Sequence, residues 1–350
     1  MPFCLLTCLP SSAQTASSLY QPGVTSEGAT YFLPKTGIQI TVQVEKSSYT
    51  PGEYCKYAER YLRIKGVSPD PSVSYRITEI RQGAVAVADT TKGYTVKFDA
   101  KTSATNVRLS DDGILLAINA EPKRHERPQP FVAAPRPAAI NPRQYMSEEI
   151  LAAGSTAKMA ELTAQDIYEI RESRNLLVRG QADNMPKDGE QLRLMLSQLD
   201  LQDRAMTSLF TGTTEKDTTE HTFVIIPDRD ITNEVVFRFS QRIGLVDNDD
   251  LAGVPYYISI KDLKTVPAPD PVDSKKKNKQ VNGIYVNIPG RLRASISNTK
   301  EVLLTSEFPA GQFGNVELLS GALFNKRYTT HLWLNPLSGA VDRLEAEQPK

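Results

Sequence analysis

The sequence predicts an α+β protein, with two antiparallel, sandwich-like β-rich regions separated by a Pro-rich linker and a long helical hairpin. Three observations carry this. Two-residue hydrophobic alternation dominates residues 29–119 and returns after Glu220. Glu121 to Arg143 holds six prolines in 23 residues. Ser147 to Gly212 has helical spacing with capping residues at its ends. The expected organisation is a signal peptide at 1–13, an N-terminal β-rich domain with one short helix at 25–120, the linker at 121–146, the hairpin at 147–213 and a C-terminal β-rich domain at 214–350.

Composition bounds the function classes. A chain of 350 residues can bury one large core or two medium ones. It is 40% hydrophobic and 23% charged, as globular chains are. Lys+Arg and Asp+Glu are both 41, so no global field draws it to nucleic acid or anionic lipid, and no nucleic-acid partner is expected. No apolar run approaches the roughly 20 residues of a membrane-spanning helix, so no transmembrane segment is expected.

The N-terminus points to export. Phe3 to Leu9 is a short apolar run, and the small residues Ser11, Ser12 and Ala13 match a secretory cleavage site, giving a mature start near Gln14. The positive segment that usually opens a signal is missing, since no Lys or Arg precedes Lys35. Cys8 follows Leu5-Leu6-Thr7, but Thr7 suits a lipoprotein site poorly, so simple cleavage is expected. Cys55 alone then remains, which precludes an internal disulfide, and it is read as a small buried hydrophobe.

The first strand is the clearest: Ile38, Ile40, Val42 and Val44 alternate with Gln39, Gln43 and Glu45. A short helix is expected next, capped by Thr50, with Pro51 at its first position and Glu53 closing a capping box. Tyr54, Ala58 and Tyr61 share its face and are expected to meet the first β region's core. Strands resume at Val73–Ile77, Val85–Val87, Tyr94–Phe98 and Val107–Leu109, and Asp112-Gly113 suits a type I′ turn before Ile114–Asn119.

Prolines make 121–143 an extended tether in which His125 is solvated. Ser147 caps a first helix, interrupted at Gly154-Ser155 and ended by Gly180. The second helix starts at Asp188, with Gln191 placed for a capping box, and ends at Gly212. Its apolar row, Leu192, Met195, Leu199, Met206 and Leu209, is widened by Leu194, Leu196, Leu201 and Phe210. That excess width is expected to pack on a β region, a partner subunit or another protein, as well as on the first helix. Strands are expected at Phe223–Ile226, Val235–Phe239, Tyr256–Leu263, Ile284–Ile288, Leu292–Ile296, Val302–Phe308, Thr329–Leu334 and Gly339–Glu345.

No pattern assigns a catalytic, cofactor-binding or metal-binding residue. There is no Gly-x-Ser-x-Gly elbow, and His125, His221 and His331 are scattered. Asp247, Asn248, Asp249 and Asp250 offer hard oxygens, but the Gly and Glu of a calcium loop are out of register, so an acidic turn is expected. Gly311 to Gly314 is too short for a phosphate loop. Tyr54, Tyr57, Tyr61 or Trp333 could serve a glycan as aromatic platforms, although such spacing more often marks a core. The lysines of the 266–282 loop lack interleaved aromatics, so they read as a solvated loop.

Several segments resemble an uncharacterised family of exported Bacteroidetes proteins. They are Thr30-Tyr31-Phe32-Leu33-Pro34-Lys35-Thr36, Tyr49-Thr50-Pro51-Gly52-Glu53 with Tyr57 to Leu62, Asp112 to Asn119, Asp188-Gly189-Glu190 and Leu209-Phe210-Thr211-Gly212. The resemblance implies a cell-envelope setting and supplies no catalytic residue. The expectation is a non-enzymatic envelope protein, periplasmic or outer-membrane-associated, with a structural or protein-interaction role and a hairpin that meets an envelope partner. The alternative is a glycan-binding or glycan-processing accessory.

Overall fold

The computed structural model describes residues 23–24, 28–97, 106–123, 130–135, 140–267, 283–324 and 329–347. The expected signal peptide, His125 and the lysines at 275–279 lie outside the described residues. The α+β class holds: three antiparallel sheets are accompanied by a helical hairpin with a core of its own.

One long strand, β2 (Gly28–Thr50), is the spine. Strand β3 (Ser72–Lys97) pairs along one of its edges. The other edge takes β1 (Gly23–Val24) near its start and β6 (Thr213–Ile225) from Ile38 to Thr50. A second sheet runs in the order β11 (Val302–Ser320), β10 (Gly283–Ser297), β9 (Val254–Asp262), β7 (Ile231–Ser240), β8 (Gly244–Val246). A third runs β13 (Val341–Glu347), β12 (Thr329–Leu334), β5 (Leu115–Ile118), β4 (Val107–Leu109). The β4–β5 turn differs from expectation. Only Gly113 is left-handed (φ 79°), and Gly113 N–H donates to Ser110 O at 3.0 Å, so it is a type I turn followed by a left-handed glycine.

Alternation in β2 decides its faces. Ile38, Ile40, Val42 and Val44 are buried, and each such side chain removed from water contributes roughly 1.5–3 kcal/mol. The opposite face carries charge in rows across the sheet. Glu45 accepts from Arg76 at 2.9 Å and from Lys216 at 3.3 Å, and Glu220 accepts from Arg81 at 2.6 Å and Gln43 at 3.2 Å.

The β regions close two cores, and both regions contribute to each. Ala29, Tyr31 and Leu33 pack with Leu115, Ile118, Ile284, Val286, Leu332 and Leu334. Ile38 to Val44 pack with Phe237, Ile258, Ile260, Leu292, Ala294 and Ile296. The regions expected at 25–120 and 214–350 thus interleave, because β2 and β10 each cross from one core to the other. At the crossing lies a polar clasp. Asn287 Nδ2 donates to Pro34 O and Ser338 O, both at 2.9 Å. Gln312 accepts from Thr36 N–H at 2.9 Å and donates to Thr36 O at 2.7 Å.

The third core is helical. The expected helix at Thr50 does not start there, because β2 continues to Thr50, opposite Thr213 of β6. The chain instead makes a 3-10 turn at Cys55–Tyr57 and a π turn at Ala58–Leu62, with no side-chain cap. Tyr54 and Ala58 do not enter a β core. They are buried with Ile167, Met206, Leu209 and Phe210 of the hairpin, and Tyr61 rests half-buried against them.

Candidate interaction site at the hairpin tip

Each helix of the hairpin is punctuated by its own sequence. After a single turn, α1 (Glu148–Leu151), Ser155 Oγ accepts from Lys158 N–H at 3.3 Å and opens α2 (Thr156–Arg179). Gly180 ends α2 in the left-handed region at φ 68°. Asp188 Oδ1 accepts from Gln191 N–H at 2.7 Å and opens α3 (Gly189–Thr211). Gln191 reaches back to Lys187 N–H at 3.2 Å, one residue before the position expected of a capping box. Gly212 closes α3 at φ 76°, where an added Cβ would lie 2.4 Å from Thr50 O.

The base of the hairpin is anchored. The Phe210 ring meets Tyr54 edge-on at 5.5 Å, Tyr54 N–H donates to Leu209 O at 2.7 Å, and Tyr168 OH donates to Tyr61 O at 3.0 Å. Two ion pairs tie the helices together at mid-length, Arg171–Asp203 and Arg174–Asp200, both at 2.7 Å. Beyond them, no described residue of the tip belongs to any of the three cores. Leu176, Leu177, Leu194, Met195 and Leu199 line an open groove of about 600 Å³, whose polar positions include Ser173 and Gln198. Leu194 is 67% exposed, and Val178 nearby is 60% exposed. Of the excess-width residues, Phe210 is covered internally, Leu196 and Leu201 are half-buried, and Leu194 is left open.

The other singled-out residues are placed as follows. Tyr54 is in the interior. Burial raises its phenol above the usual range and Glu53 adds to this, while Arg143 and the nearby Thr163 hydroxyl pull it down. Tyr57 and Tyr61 lie 6.0 Å apart, partly buried against that core rather than standing as a platform. Cys55 is a free, half-buried thiol. His331 Nδ1 contacts Asn119 O. Trp333 donates to Glu121 O at 3.0 Å beneath the Arg343 guanidinium.

His221 and the distant Asp247, Asn248 and Asp250 line one hollow of about 660 Å³ together with Phe223 and Phe237, while Asp249 does not line it. The acidic residues form a turn: Asp250 N–H donates to Asp247 O at 3.0 Å, and Asp250 Oδ1 accepts from Ala252 N–H at 2.8 Å. His221 Nε2 lies 3.2 Å from Thr219 Oγ1. Among the described residues, no three His, Cys, Asp or Glu side chains converge to hold a metal ion. The Gly311–Gly314 stretch lies inside β11.

The hairpin, the spine and both β cores fall inside one family match. The model for a domain of unknown function, DUF4831, matches residues 27–342. The chain belongs to this family. No curated protein and no solved structure matches it. The DUF4831 domain therefore runs from the start of the spine into β13 and includes the groove. No helix among the described residues is long and apolar enough to cross a membrane. The groove was only half legible in the sequence. Excess apolar width on α3 marked the helix, but which end the β2–β3 connection would cover depends on a packing that spacing does not encode.

Proposed function

We propose that this DUF4831 protein is a non-enzymatic interaction module of the cell envelope, exported to the periplasm or the outer-membrane surface, whose hairpin tip receives an apolar segment of a partner protein. The observation that carries this is the open groove on a hairpin that is fixed at its base. Ion pairing holds the two helices in register and the Tyr54–Phe210 contact fixes the base of α3, so a partner meets a preformed surface and little ordering entropy is lost. The groove residues include a single ionisable one, Asp183, so docking desolvates little charge. Export is supported by the Phe3–Leu9 run and the small residues at Ser11 to Ala13.

The test places a photo-cross-linker at Gln198 in the full chain, expressed in its own host. One cross-linked protein species in the envelope fraction is expected, from a chain whose N-terminus is Gln14. Leu194→Arg should abolish the cross-link while leaving thermal unfolding nearly unchanged, since exposed positions shift stability by about 0.5 kcal/mol or less. A folded Leu194→Arg chain that keeps its cross-link, or a native chain in the cytosol with Met1 intact, would overturn the proposal.

A further inference from the structure

The open edge of β3 has the properties of a self-pairing surface. β3 is the terminal strand of its sheet, and among the described residues no strand lies along its outer edge. Tyr75 N–H, near its start, reaches Gln241 O at 2.8 Å. Natural sheets blunt such edges with charge, proline or bulges. Here these devices flank a window and leave it clear. Arg76, Glu79 and Arg81 precede it, and after it Asp89 to Lys92 form a bulge left out of the pairing with β2, which jumps from Pro34↔Ala88 to Phe32↔Gly93. Between them Gln82-Gly83-Ala84-Val85-Ala86-Val87-Ala88 has no charge and no proline, and every residue is half-buried.

The window's own sequence names the occupant. Ala84-Val85-Ala86-Val87-Ala88 reads identically in both directions. In an antiparallel pair, residues directly opposite share a face. With a two-fold axis at Ala86, Val85 therefore meets Val87 of the second copy, Ala84 meets Ala88, and no charge meets another. Beside Val85 this otherwise charged face is locally apolar: a Cβ on Gly37 would lie 3.1 Å from Val85 and 3.3 Å from Val224, and Val224 and Ile226 are exposed, while Lys35 stands opposite Val87. Two copies would join these patches across the axis.

We propose that β3 pairs edge to edge with β3 of a second copy, antiparallel about Ala86, so that two four-stranded sheets become one. The isologous geometry closes the assembly at a dimer. So short an edge contact falls below the roughly 1,200 Å² of a standard interface, which makes the dimer weak and concentration-dependent.

Sedimentation velocity of the full chain over a wide concentration range tests this, and a reversible monomer–dimer equilibrium is expected. Val85→Lys with Val87→Lys should leave a folded monomer, as should Val85→Glu with Val87→Glu. Mixing these two variants should restore a dimer, because each Lys then faces a Glu. A wild-type chain that stays monomeric throughout, a lysine variant that still dimerises, or a mixture that stays monomeric would each overturn the proposal. If the double lysine variant unfolds, Val87→Lys alone, beside the bulge, is read in the same way. An extended peptide of another protein as the natural occupant would appear as a monomeric wild type.

Discussion

Tyr54 and Tyr61 show how far a side chain's environment departs from its spacing. Both lie on the apolar face of the expected helix, yet Tyr54 is sealed between Phe210 and the hairpin core while Tyr61 sits half-buried at its margin, under Arg60. Tyr54→Ala should therefore cost about 3–5 kcal/mol in urea unfolding, and Tyr61→Ala distinctly less. Equal losses at the two positions would contradict this packing. Sequence spacing identified both as core-facing. It assigned them to a β core because the hairpin they actually meet, through Phe210 for Tyr54 and Tyr168 for Tyr61, lies far along the chain. The same limit applies to Asn287, whose position within an alternating strand gives no sign that its amide bridges Pro34 and Ser338.

At the level of elements, punctuation was legible and continuity was not. Ser155, Gly180, Asp188 and Gly212 stand at the helix ends that their chemistry dictates. Asp188→Ala should remove the cap of α3 and lower stability by about 1 kcal/mol in denaturant melts, with the fold retained. No measurable change would mean that the helix start is held by packing instead. Strand lengths were underestimated for a physical reason. Gly83 and Gly93 interrupt the alternation within β3, and Pro289-Gly290 that within β10, but Gly83 pairs in register with Gln39, and bulges beside Gly93 and at Pro289 let the ladder continue. β1 and β8 are too short for alternation to register. The mid-hairpin ion pairs are partly solvated, and each contributes roughly 0.2–1 kcal/mol, so they set register more than stability.

For the whole molecule, interleaving outweighs the apparent division into regions. A fragment spanning 214–350 takes β6 away from β2 and β12 away from β5, and exposes the apolar faces of β7, β9 and β10. Expressed alone, it should lack near-UV circular dichroism, and the intact chain should lose both β cores in one transition. A 214–350 fragment with a cooperative melt of its own would show that the two β regions are separable after all.

Sharing one spine between two cores also fixes a temporal order. Asn119 and Thr330, which bond across the third sheet, are 211 residues apart in the chain, so closing that core carries the entropy of a very long loop. The β2–β3 ribbon and the helical hairpin are local and can form early, but Ile38 to Val44 have no opposing layer until the last third of the chain arrives. During that interval the spine is a long, alternating, uncovered strand. Aggregation pressure on a nascent chain is greatest for such a strand, so escort by a holdase would matter more to this protein's yield than its final stability.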